Sequence, residues 1–120
     1  VMRVLYVDDE PDIREIAEMA LSLDSDFEVR TASSGMEALR IIEQWPPDVA
    51  LFDVMMPEMD GPRLLSHVRQ MDTIAALPVI FVTARAQRSD MHSFATLDAT
   101  GVIAKPFDPM TLAQRVRELL

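Results

Sequence analysis

At 120 residues, with 49% hydrophobic and 26% charged residues, the chain has the size and make-up of one soluble domain that can bury a core without staples. It has no cysteine, which excludes disulfides and thiol chemistry, and its net charge of −9 argues against direct nucleic-acid binding, which takes clusters of Lys and Arg. No apolar run approaches the ~18 residues that span a bilayer, and no signal-peptide pattern precedes the first strand, so a cytoplasmic location without a membrane partner is expected. Met2, after Val1, is expected to be the natural start.

The first predicted strand is Met2–Val7, and Pro11 then fits the first turn of a helix. That helix carries Ile13, Ile16, Ala17, Ala20 and Leu21 on one face, with Arg14, Glu15 and Glu18 opposite. A strand at Phe27–Thr31 leads to a helix capped by Ser33 or Ser34 and ended before Pro46 and Pro47, with Trp45 packing its end. After the strand Val49–Phe52, Gly61 serves a turn that needs its conformational freedom. Pro62 opens a third helix striped by Leu64, Leu65, Val68 and Met71. The strand Pro78–Val82 is followed by a fourth helix, the strand Gly101–Ala104 by a fifth, with Pro109 in its first turn and Leu112, Val116 and Leu119 on its apolar face. The strands are continuously apolar rather than alternating, as in a parallel sheet covered on both faces. Five βα units in succession predict a doubly wound α/β fold, for which the common strand order is 2-1-3-4-5.

In such a sheet ligands bind beyond the carboxyl ends of the strands, where the strand order reverses. The stretch "VLYVDDEPD" puts Asp8, Asp9 and Glu10 at the end of strand 1. Strand 3 delivers Asp53, strand 4 Thr83, and strand 5 Lys105, so the chemically capable residues share one rim. Adjacent carboxylates repel one another and call for a cation. Oxygen ligands without His or Cys specify a hard ion such as Mg²⁺. Thr83 offers a hydroxyl donor and Lys105 a positive charge to the oxygens of a transferring phosphoryl group, which leaves Asp53 as the natural nucleophile, forming an aspartyl phosphate. Each residue also has a plainer reading. The three acids would favour the start of the first helix, Thr83 is a good strand end, and Lys105 would serve as a solvated lysine. The two histidines, His67 and His92, are read as solvated helix residues, and the nine methionines mainly as core filler.

The motifs "LYVDDE", "DVMMPEMDG", "PVIFVTA" and "KPF", in that order and each at a strand end, resemble the response-regulator receiver domain, the CheY-like family of two-component signalling. The resemblance covers essentially the whole of residues 1–120 as one domain with a flavodoxin-like three-layer sandwich. It implies that Asp53 accepts a phosphoryl group from a phosphohistidine on a histidine kinase or histidine phosphotransfer protein. It implies further that Asp9, Asp53 and the backbone carbonyl of Met55 ligate Mg²⁺ directly, Asp8 acting mostly through water. Thr83 and Lys105 would contact the phosphoryl oxygens, and Pro106 would follow a cis peptide bond. Such a domain catalyses only its own phosphorylation and dephosphorylation and is not an enzyme with turnover. Its output, to an effector domain or separate protein, would run through the fourth helix, fifth strand and fifth helix, a candidate homodimer surface.

Two positions depart from the family pattern. Val102 stands where an aromatic residue often turns inward when the threonine moves, and Asp98 stands where glycine is frequent. Asp is among the few residues tolerated there in a left-handed conformation. Two rivals differ in class. A small aspartate-nucleophile phosphatase would want an acid two residues after Asp53, where this chain has Met55. A degenerate, docking-only receiver would not keep the full set of acids, Thr83 and Lys105.

Overall fold

Of the 120 residues, the computed structural model describes 1–84, 94 and 97–120. Strand β1 (Met2–Val7) is followed by α1 (Pro11–Leu21), β2 (Phe27–Ala32), α2 (Gly35–Gln44), β3 (Val49–Asp53), α3 (Gly61–Arg69), β4 (Val79–Thr83), β5 (Gly101–Ala104) and the C-terminal helix α4 (Leu112–Leu119). The helix expected between the fourth and fifth strands, with His92, falls among residues 85–96, of which only Phe94 is described. All strand pairs are parallel in the order β2-β1-β3-β4-β5, as expected. The strand order reverses between β1 and β3, which pair from Val4↔Val49 to Val7↔Phe52.

The alternation of side chains along each strand builds two cores. Leu5, Val7, Ala50, Phe52, Val79, Phe81 and Val102 face α2 and α3, burying Ala38, Ile42, Leu64 and Val68. Val4, Tyr6, Val49, Leu51, Ile80, Val82 and Ile103 face α1 and α4, burying Ala17, Leu21, Leu112 and Val116. Every residue of β3 and β4 is buried, which accounts for sequences that are apolar up to the last residue of each, whereas the edge strand β2 alternates. Among the described residues no helix is long and apolar enough to cross a membrane.

Local chemistry sets the helix ends. Ser34 caps α2 by accepting from the Glu37 N–H, while the Ser33 N–H donates to Glu37 Oε1, a reciprocal pair that satisfies two end donors. Pro11 and Pro62 lie in first helical turns as expected. Pro109 does not: it sits in a turn before α4, whose N-cap is Thr111, because Asp108 accepts from the Met110 and Thr111 N–H groups and delays the helix. Trp45 ends α2, with the Arg3 and Arg30 guanidinium carbons 5.3 and 4.8 Å from its ring centroid. Asp98 is left-handed, with φ 64°, and is held by Arg69, which also donates to the carbonyls of Ala75 and Leu77.

Two further expectations fail. The methionines are not mainly core filler: Met19, Met36, Met55 and Met110 are exposed, Met2, Met59 and Met71 only partly cover the cores, and among the described residues Met56 alone counts as buried. The core volume is already filled by branched and aromatic residues, and the flexible methionines lie over its edges. Ile16 of the α1 stripe is also exposed, because the smaller Ala17 and Ala20 are what α1 lays on the sheet.

Candidate functional site

Four strands end on one rim, and each delivers a polar side chain to it. Asp8 follows β1, Asp53 closes β3, Thr83 closes β4 and Lys105 follows β5. Asp8, Asp53 and Thr83 are buried, while Asp9 is half-buried. Oxygens of Asp8, Asp9 and Asp53 lie within 4.8 Å of one another. Lys105 Nζ stands 2.8 Å from Asp8 Oδ2 and 3.2 Å from Asp53 Oδ1. The Lys105 N–H donates to the Thr83 carbonyl at 2.8 Å, tying the last two strand ends together, and the Lys105–Pro106 peptide is cis, as the family resemblance implied.

The acids do not act as side-chain caps of α1, whose N-cap, Glu10, makes no such bond. Asp8 instead turns inward. Its Oδ1 accepts from the Glu10 N–H at 3.0 Å, its Oδ2 accepts from Lys105 and from the Tyr6 hydroxyl at 3.0 Å, and its carbonyl accepts from Arg14 Nη1 at 2.8 Å. The α3 side of the rim depends on Gly61, whose φ is not positive. A Cβ there would lie 2.6 Å from the Asp53 carbonyl oxygen, so glycine is required for close approach rather than for conformational freedom. The chain between Asp53 and Gly61 loops out with Met55 exposed and Glu58 left-handed at φ 67°.

Electrostatics follow from this crowding. Burial, and then the Asp8 carboxylate, push the Asp53 carboxyl up to about 6, against the pull of Lys105. Burial alone would lower the Lys105 ammonium, but its hydrogen bond to Asp8 and the charges of Asp8 and Asp53 outweigh this and raise it. Burial, then the Asp8 charge, drive the Tyr6 phenol far above its usual range, so it remains a donor. Among the described residues, one ammonium thus faces three carboxyl groups. A hard cation with oxygen ligands fits the surplus of negative charge and the all-oxygen donor set.

The structure brings together Asp8, Asp9, Asp53, Thr83 and Lys105. Met55 lies in the loop between β3 and α3 with its side chain exposed, so its side chain takes no part in the cluster. His67 lies exposed on α3, away from the acids, and His92 is outside the described residues. Sequence reasoning overlooked Tyr6 and Arg14. The available signal was a phenol in the otherwise aliphatic run Val4–Val7, two residues before Asp8.

Comparison with known proteins shows the family and the fold. The family model described as the response regulator receiver domain matches residues 4–117. The chain is 36% identical over 117 residues to the response regulator Rre1 of Synechocystis sp., covering 98% of this chain and 51% of that protein. It is 37% identical over 119 residues to the transcriptional regulatory protein TrcR of Mycobacterium tuberculosis, covering 99% of this chain and 45% of that one. The chain therefore spans about half the length of these curated relatives. Among solved structures, the chemotaxis response regulator CheY4 of Vibrio cholerae superimposes with a TM-score of 0.91 at 32% identity, covering 100% of this chain and 99% of that one.

Proposed function

Because the chain belongs to the response regulator receiver family, we propose that it is a phosphoacceptor domain in which Asp53 takes a phosphoryl group from a phosphohistidine of a histidine kinase or histidine phosphotransfer protein. The observation that carries this reading is the Asp53 carboxylate, buried at a strand end beside a lysine and two further acids. In the reaction an Asp53 carboxylate oxygen attacks phosphorus. The bond from phosphorus to the donor imidazole nitrogen breaks, and its electron pair stays with the imidazole. At neutral pH Asp53 is mainly ionised, as a nucleophile must be, since its carboxyl is raised only to about 6.

Asp8, Asp9, Asp53 and the Met55 carbonyl would hold Mg²⁺, which when bound neutralises charge on the phosphoryl oxygens. Lys105 supplies a second positive charge there, from its present place 3.2 Å from Asp53 Oδ1. The Thr83 hydroxyl, at the end of the adjacent strand, donates to a third oxygen. All of this chemistry falls on Asp53 itself, so the domain modifies itself and turns over no separate metabolite. We place it in the cytoplasm as one receiver domain over residues 1–120. Its output would pass to an effector domain or separate protein through the segment between β4 and β5, β5 and α4, the same face serving a homodimer. Incubation with acetyl phosphate and Mg²⁺ should add one phosphoryl group to the wild-type protein and none to Asp53→Asn. Equal labelling of the two would overturn the reading.

A further inference from the structure

The buried phenol of Tyr6 has no part in the transfer step, yet it touches the site at two points. In β1 it is fully buried, and its hydroxyl donates to Asp8 Oδ2 at 3.0 Å. That same oxygen accepts from Lys105 Nζ at 2.8 Å, while Oδ1 is taken by the Glu10 N–H. The Tyr6 ring meets Phe107 edge-on, with centroids 6.4 Å apart at 70°, and Phe107 lies two residues beyond Lys105. An aliphatic side chain would fill the core between β1 and this segment equally well but could donate nothing.

We propose that Tyr6 is a positioning residue for phosphoryl transfer: its hydroxyl keeps Asp8 bonded and in place when Lys105 leaves Asp8 Oδ2 for the phosphoryl group. The inference rests on the reading of Asp53 as the phosphoacceptor. Lys105 now bridges Asp8 and Asp53, and to follow charge that develops on phosphorus it must loosen from Asp8. Asp8 is completely buried, so water cannot readily replace the lost donor, and a buried carboxylate oxygen left without one is costly. With Tyr6 in place, Oδ2 keeps one donor and the lysine is released at lower cost. Without it, the lysine is held back on Asp8. Tyr6 therefore acts on the phosphorylated state more than on the resting one, which separates this role from ordinary satisfaction of a buried hydroxyl.

Tyr6→Phe in the full chain, titrated with beryllofluoride in the presence of Mg²⁺ and with Mg²⁺ alone, tests the proposal by amide NMR. The variant should bind this phosphoryl mimic roughly tenfold more weakly than wild type, the scale of one hydrogen bond to a charged group. The loss for Mg²⁺ alone should be clearly smaller, because Lys105 then still holds Asp8 Oδ2. In the wild-type protein the Tyr6 hydroxyl proton should give a slowly exchanging resonance that moves when the mimic binds, a readout independent of the variant's folding. Unchanged mimic affinity, an equal loss for Mg²⁺ alone, or a hydroxyl resonance that ignores the mimic would each overturn the proposal. A wild-type protein that fails to bind the mimic would instead overturn the Asp53 reading, and this inference with it.

Discussion

Replacing Asp53 by Asn should stabilise the metal-free protein. Burial and the Asp8 carboxylate raise the Asp53 carboxyl from 3.8 to about 6 in the folded chain. At ~1.4 kcal/mol per pKa unit, ionised Asp53 costs the folded state on the order of 3 kcal/mol at pH values above both. Asn keeps the shape and can still accept from Lys105, though a bond to a neutral acceptor is weaker, so a net gain of ~1–2 kcal/mol is expected. The sign fixes the pH window. A carboxyl raised in the folded state carries no penalty below its unfolded value of 3.8, and the penalty grows as pH rises through about 6. Urea unfolding without Mg²⁺ should therefore show Asp53→Asn more stable at about pH 8, with the difference shrinking through pH 6 and gone near pH 4. Saturating Mg²⁺ should stabilise the wild type in preference and narrow the gap. A variant no more stable than wild type at pH 8, or an advantage that is independent of pH, would refute the electrostatic account of the site.

Asp9→Asn removes one of the three converging carboxylates and should weaken Mg²⁺ binding by at least tenfold while the fold persists, as followed by calorimetric titration. Gly61→Ala should cost ~1–3 kcal/mol in urea unfolding, since its Cβ would lie 2.6 Å from the Asp53 carbonyl oxygen and something must shift. Val102→Tyr should change partner affinity on phosphorylation and leave the rate of labelling by acetyl phosphate within about threefold. Val102 is buried against the Phe81 core, is stiff and short, and cannot fill the space a moving Thr83 would vacate. If Val102→Tyr abolishes labelling in a folded protein, position 102 belongs to the transfer site.

The fold was legible because parallel strands covered on both faces leave no polar gaps, and Pro11, Pro62 and Ser34 mark helix starts without help from tertiary contacts. The rim was legible because it uses residues that have little other business at strand ends: Asp8 and Asp9 after β1, Asp53 closing β3, Lys105 after β5. What escaped depends on how the chain is placed in space, over short and long sequence separations alike. Gly61 reads as a turn residue, and only its approach to the Asp53 carbonyl gives the steric reason. Pro109 reads as a helix start, but Asp108 captures the N–H groups of Met110 and Thr111. Tyr6 reads as a strand former, and its bond to Asp8 is local, yet Lys105 on the same oxygen lies 97 residues away. The methionines misled because their apolar character says nothing of which gaps the branched side chains leave.

The central claim is that Asp53 alone carries the phosphoryl group, and chemical mapping of the modified residue addresses it most directly. After labelling with acetyl phosphate and Mg²⁺, borohydride reduction converts an aspartyl phosphate to homoserine, which peptide mass spectrometry locates. The account predicts homoserine at position 53 and at no other acid, Asp8 and Asp9 included. Homoserine at either of those positions, or a phosphoryl group on a hydroxyl or histidine side chain instead, would contradict it.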